Sequence, residues 1–184
     1  MTITTAIDNN DLRGILDLQS RNLKRNITPE QKKVQGFVSV EHDLGILTAM
    51  NNPFPHTIAK DDNGKIVGYV LSMTRDKKED IPMLVPMIDM IDSTRYDGKF
   101  LAHHNYTLVG QVCVDKAFRG KGVFSSIYEY HKSAMRAHFD YLITGISTNN
   151  ERSMKAHQKV GFEILNIFKD DEGEWANVIF DLKK

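Results

Sequence analysis

Two periods alternate along the chain. Thr2 to Ile7 is rich in β-branched residues and predicts a short strand. From Asp11 the spacing becomes helical, with Leu12, Ile15, Leu16 and Leu18 on one side. Thr28-Pro29-Glu30-Gln31 is a second helix start: Thr28 can cap, Pro29 suits the first helical position, and Gln31 completes a capping box. A third short helix is expected from about Asp43 to Met50, stopped by Asn51-Asn52-Pro53. His56 to Lys60 and Lys65 to Met73 then form a hairpin around Asp61-Asp62-Asn63-Gly64, and Gly68 in its second arm implies a bulge or the close approach of another group.

Residues 75–105 interrupt the strand pattern. They open with the charged run Arg75 to Asp80, and Asp80 is expected to cap a helix through Ile91 that kinks at Pro86. Met83, Leu84, Met87, Ile88, Met90 and Ile91 give that helix an apolar side, which would pack on the core or form a Met-rich wall of a ligand pocket. Tyr106 to Val114 predicts the next strand. A helix follows from about Lys121 to His138, with Val123, Ile127, Tyr130 and Ala134 at helical spacing. A strand at Tyr141 to Ser147, a helix at Asn150 to Val160 and a hairpin of Glu163 to Phe168 with Trp175 to Leu182 complete the chain. The order β-α-α-α-β-β-(α)-β-α-β-α-β-β describes an α/β (α+β) fold with a mixed sheet. With 184 residues and no repeat or linker, residues 1–184 are expected to be a single domain.

Charge and composition narrow the partners. Lys plus Arg and Asp plus Glu both number 24, so no basic excess points to nucleic acid. The N-terminus lacks a basic and then apolar leader pattern, and the densest apolar stretch, Ile81 to Ile88, holds two prolines and is far shorter than a membrane span. A cytoplasmic protein that binds neither nucleic acid nor membrane is the expectation. The single cysteine, Cys113, permits no internal disulfide and no Cys-cluster metal site.

The informative segment runs from Val112, Cys113 and Val114 through Arg119-Gly120-Lys121-Gly122 to Val123, Phe124 and Ser125. A strand passes through a glycine turn into an amphipathic helix, and the unpaired N–H groups of a helix start suit phosphate. No Gly-Lys is followed by Ser or Thr, which excludes a P-loop, and Ser125 stands where a dinucleotide fingerprint needs its third glycine.

Arg119-Gly120-Lys121-Gly122 after Val112-Cys113-Val114 resembles the acetyl-CoA signature of the GNAT superfamily of N-acetyltransferases, Gln/Arg-x-x-Gly-x-Gly/Ala. A second block, Asn150, Ser153, His157 and Gly161-Phe162, resembles the family's Asn-x-x-Ala-x-x-x-Tyr-x-x-x-Gly-Phe. The resemblance implies a central mixed, mostly antiparallel twisted sheet flanked by helices, its strands splayed at the acetyl-CoA site. It implies backbone contacts from Val112, Cys113 and Val114 to the pantetheine arm. Arg119, Gly120, Lys121, Gly122, Val123 and Phe124 would present N–H groups to the pyrophosphate, Ser125 could add its hydroxyl, and Asn150 would help hold the thioester end. The implied activity is transfer of acetyl from acetyl-CoA to a primary amine of a small molecule or peptide, by direct attack through a tetrahedral intermediate. A backbone N–H near Val114 would stabilise the oxyanion, and the early helices (residues 11–50) with residues 75–105 would shape the acceptor pocket. No metal is required.

Two positions depart from the family pattern. Phe124 stands where Gly or Ala is usual, and a ring facing the phosphates would crowd them. His157 replaces the Tyr acid of many members. A lone histidine on an apolar face is commonly structural, but histidine can protonate a departing thiolate near neutral pH. These departures support the alternative of a non-catalytic acyl-CoA-binding sensor or interaction module. Cys113 is expected to pack rather than carry an acyl group, having no adjacent His to activate it. His103, His104, Tyr106, Glu41 and Asp43 remain as candidates for the amine's base or for orienting the acceptor, and Trp175 is expected to pack in the closing hairpin. An exposed edge of that hairpin would allow a homodimer.

Overall fold

The structure is a computed structural model that describes every residue except 29, 31–34 and 172, together with the side chain of Met83 left aside. The helix start at Thr28, with Pro29 and Gln31, lies outside the described residues. Seven strands form one sheet in the order β1-β2-β3-β6-β7-β9-β8: β1 Thr2–Thr5, β2 Thr57–Lys60, β3 Ile66–Met73, β6 Tyr106–Val114, β7 Tyr141–Ser147, β8 Glu163–Asp170 and β9 Gly173–Asp181. Every neighbouring pair is antiparallel except β6 with β7. A separate two-stranded ribbon, β4 Arg95–Tyr96 with β5 Lys99–Phe100, belongs to the 75–105 segment.

β3 explains why the sheet sits at the centre. All eight of its residues are buried, so both faces are covered and its sequence is nearly continuously apolar. Tyr69, Leu71 and Met73 point to one side, into a core completed by α1 (Asn9–Ser20), α2 (Leu44–Met50) and α3 (Val85–Ser93). Val67 and Val70 point to the other, where α4 (Val123–Met135) and Phe162 complete a second core. Gly68 allows that packing, since a Cβ there would stand 3.3 Å from Val123 Cγ1. The strand also bulges beside it, between the pairs Ala59–Gly68 and Lys60–Ile66.

Several boundaries differ from the sequence pattern. Asp8, not Asp11, caps α1, accepting the Asn10 and Asp11 N–H groups at 2.9 Å. Asp11 is buried and pairs with Lys60 at 2.6 Å. The expected Asp80–Ile91 helix is instead two 3₁₀ turns, Arg75–Asp80 and Pro82–Leu84, followed by α3. Pro86 lies in the first turn of α3, where its missing N–H costs no helical bond, so it starts the helix rather than kinking it. The buried face of α4 is Val123, Ile127, Tyr128, His131 and Met135, and Tyr130 is 38% exposed. The interior position belongs to His131, whose Nδ1 meets Thr57 Oγ1 at 3.0 Å, so an apolar pattern alone turned that face the wrong way.

Candidate active site

The parallel pairing of β6 and β7 covers only Tyr106–Tyr141, Thr107–Leu142 and Leu108–Ile143. Thr144 Oγ1 then donates to Val109 O at 2.9 Å and closes the fork. Beyond it the strands part, and β6 remains paired with β3 alone as far as Val114. Asp115 N–H donates to Val67 O. The alternation of an antiparallel pair therefore turns Cys113 toward β3 and the backbone groups of Val112 and Val114 toward the opening.

Two clefts meet in this fork. One, of about 280 Å³, is lined by Val112, Cys113, Val114, Arg119, Gly120, Gly122, Val123, Phe124, Ser125 and Asn150, together with Phe37 and Val38. The other, of about 110 Å³, lies on the far side and includes Gln111, Val112, Asn150, His157, Asp170 and Trp175. Val112 and Asn150 line both and mark the junction. Lys121 does not line either cleft; its Nζ lies over the Phe118 ring.

The turn into α4 is built for backbone donation. Gly120 and Gly122 have φ of +75° and +81°, and no atom lies within 4 Å of a Cβ built on either, so the backbone conformation rather than crowding selects glycine. Ser126 N–H is the first of the helix to find a carbonyl, Gly122 O at 3.0 Å. The N–H groups of Gly120 through Ser125 have no partner among the described residues, as expected at a helix start. Arg119 is a tether: Nε donates to Val114 O at 2.9 Å, Nη1 to Gln35 O at 2.8 Å and Nη2 to Asn22 Oδ1 at 2.6 Å. Asn150 ties down the same early segment, with Nδ2 on Phe37 O at 3.0 Å, while its Oδ1 caps α5 (Glu151–Lys159).

His157 is enclosed. Nδ1 donates to Ser153 O at 2.8 Å, which leaves Nε2 to accept the Tyr128 hydroxyl, also at 2.8 Å. Rings of Phe124, Tyr128 and Phe162 pack around it, and burial pushes its pKa down to about 4. Phe124 thus stacks on Tyr128 and His157 while lining the larger cleft. Burial, chiefly, and Asp115 push the Cys113 thiol up to about 12, so it stays protonated.

The sequence-derived base candidates stand away from both clefts. Tyr106 donates to Asp92 Oδ1 at 2.7 Å, His104 Nε2 to Tyr96 O at 2.9 Å, Glu41 pairs with Arg25, and Asp43 caps α2. His103 is exposed and also lines neither. In their place the fork gathers groups the sequence did not mark. Arg152 and Lys159 join Arg119 in the larger cleft, which has no acidic lining residue among those described. The smaller has Asp170 and neither Lys nor Arg. Trp175, expected only to pack, donates its indole N–H to Asp170 Oδ1 at 2.9 Å and lines that cleft.

The model of the acetyltransferase (GNAT) family matches residues 21–162. The chain belongs to this family of acetyltransferases. Among solved structures, this GNAT protein is similar to a phosphinothricin acetyltransferase from Sinorhizobium meliloti in complex with acetyl-CoA, at 18% identity over 98% of this chain and 87% of that one, with a TM-score of 0.64. It is similar to a ribosomal-protein-alanine N-acetyltransferase from Brucella melitensis (18% identity, 98% and 99% covered, TM-score 0.64). It also resembles yncA, a putative acetyltransferase from Salmonella typhimurium with its cofactor acetyl-CoA (16% identity, 100% and 95% covered, TM-score 0.64). No curated protein matches the sequence. At these identities the structural likeness speaks for the fold, which is the mixed, mostly antiparallel sheet with splayed central strands that the two motifs imply. No helix among the described residues is long and apolar enough to cross a membrane.

Proposed function

We propose that the protein transfers acetyl from acetyl-CoA to a primary amine, with acetyl-CoA in the larger cleft and the amine approaching from the smaller. The observation that carries this reading is the fork itself: an unpaired edge of β6 leads from the donor-rich turn at Gly120–Ser125 to a second cleft of opposite charge. Arg119 shapes the turn, while Arg152 and Lys159 supply positive charge beside it for phosphate groups. The open backbone of Val112 and the N–H of Val114, whose carbonyl is taken by Arg119, suit an extended arm bearing amides, and Ser125 adds a hydroxyl at the helix start. Phe124 leaves its N–H free for this role because its ring is engaged with Tyr128 and His157.

At the junction, the neutral amine nitrogen forms a bond to the acetyl carbonyl carbon, the carbon–sulfur bond breaks, and the amine's proton ends on the thiolate. The products are an amide and a thiol. The Val112 N–H faces the opening where both clefts meet and is the donor we assign to the developing oxyanion. An acid role for His157 requires a proton on Nε2, the atom that accepts from Tyr128, so we assign His157 to holding α5 against α4. Leu84 and Met87, from the 75–105 segment, shape the amine side.

Calorimetric titration with acetyl-CoA, followed by thiol release against a panel of amines, tests the proposal. Saturable binding with amine-dependent thiol release is expected. Absence of acetyl-CoA binding overturns it, and binding without turnover on any amine favours the acyl-CoA sensor.

A further inference from the structure

The amine side of the fork has a narrow chemistry. Among the described residues, Asp170 is its one carboxylate, and no Lys or Arg faces it. Asp170 Oδ1 accepts Trp175 Nε1–H at 2.9 Å and the Gly173 N–H at 3.0 Å, so carboxylate and indole are held side by side at the β8–β9 turn. The walls behind them are apolar, from Met73, Leu84, Met87 and Phe168.

We infer that the acceptor is a small primary monoamine on an uncharged, largely apolar body, with Asp170 and Trp175 as its recognition residues, an inference that rests on the acetyl-transfer reading. An arriving ammonium gains the carboxylate that the indole N–H holds in place, a favourable setting for a cation, and gives up one proton to solvent before the neutral amine attacks. An α-amino acid brings its own carboxylate into a cleft with no Lys or Arg among the described residues to meet it and with Asp170 nearby, and an unpaired charge in a confined site is costly. A polyamine brings further ammonium groups for which no second carboxylate lines the cleft among the described residues. Size points the same way: a cavity of about 150 Å³ takes up benzene, so this cleft of about 110 Å³ limits the enclosed part of the body to at most roughly one ring.

Trp175 is the one tryptophan in the sequence, so its emission reports directly on this cleft. The experiment titrates CoA-saturated protein with 2-phenylethylamine, with phenylalanine (the same body plus a carboxylate) and with spermidine, following Trp175 fluorescence, then measures thiol release from acetyl-CoA with each. The monoamine is expected to saturate the signal at a concentration lower by about tenfold or more, and to lead in kcat/KM by a similar factor. Asp170→Asn keeps an oxygen for the Trp175 and Gly173 donors; it is expected to raise the amine's half-saturation about tenfold while leaving the acetyl-CoA titration unchanged. Equal response to phenylalanine or spermidine, or an Asp170→Asn protein that binds the monoamine normally, overturns the inference. So does a Trp175 signal that no amine moves in a protein that binds acetyl-CoA. Failure to bind acetyl-CoA overturns the acetyl-transfer reading first, and this one with it.

Discussion

Acidification should begin to destabilise this protein above the range in which carboxylates titrate. Among the buried histidines are His42, His56, His131 and His157. Burial pushes the pKa of His42, His56 and His157 down to about 4, and that of His131 to about 3. Above pH 6.5 these rings are neutral in both the folded and the unfolded chain, and no penalty arises. Between about pH 6.5 and 4 the unfolded chain binds protons that the folded one refuses, so stability falls as pH falls. A displacement of about two and a half units is worth roughly 3 kcal/mol per ring at the acid end of that window. Four rings together reach roughly 12 kcal/mol, which matches the whole stability of an ordinary domain. His42 acts on His56 and His56 on His131, so a proton on one ring opposes a proton on the next while the chain stays folded. Urea midpoints followed by circular dichroism in half-unit steps from pH 7.5 to 4.5 would measure the slope, expected to approach 5 kcal/mol per pH unit at most, or ~1.4 per histidine. Replacing His131 by Asn should remove about one histidine's share of that slope. Stability that stays flat from pH 6.5 to 5 would refute the reasoning.

Other consequences can be checked separately. Gly122→Val puts a β-branched residue at φ +81°, at a cost of about 1–2 kcal/mol, and should weaken acetyl-CoA binding about tenfold in calorimetry with the far-ultraviolet spectrum unchanged. Arg119→Ala removes the ties to Val114, Gln35 and Asn22 and should lower urea stability by roughly 2–3 kcal/mol, with Arg119→Lys restoring little because it cannot span three acceptors. His157→Phe strands the Tyr128 hydroxyl and should cost about 1–3 kcal/mol of stability, with turnover down less than about tenfold and its pH profile unmoved. A loss of ~100-fold or more in kcat at constant acetyl-CoA affinity would restore the acid role instead. Incubation with acetyl-CoA should leave the intact mass unchanged, since the buried Cys113 thiol stays protonated; an added acetyl group on Cys113 would overturn that view.

The periodic parts of the fold were legible because one face of each element is covered. α2, β3, β6, β7 and the closing hairpin fall where the pattern puts them, and the glycine turn at 120–122 announced itself by residue type. Polar interior positions were not legible. His131 occupies the buried stripe of α4 through a bond to Thr57, far away in sequence, and Asp8 caps α1 while Asp11, inside the helix, accepts the Ile7 N–H and pairs with Lys60. Pro86 carries no mark that tells a kink from a start until the 3₁₀ turns ahead of it are seen. The division of charge was hidden for a different reason: a balanced total of 24 and 24 is a sum over the chain. Arg152 and Lys159 reach one side of the fork from α5, and Asp170 and Trp175 reach the other from the β8–β9 turn.

The parting of β6 and β7 puts two sheet margins inside the molecule. Strand margins normally lie at the outside, where they tempt other chains to pair, and proteins spend charge, proline or curvature on guarding them. Here the early segment at Gln35 and Phe37, pinned by Arg119 and Asn150, stands guard instead. A molecule that lies along the β6 margin supplies the neighbour that β7 withholds, so occupancy and foldedness rise together, by RT ln(1 + [L]/Kd). On the proposed reading, acetyl-CoA bound along this opening closes an internal gap in the sheet, and raising its concentration should raise the protein's stability.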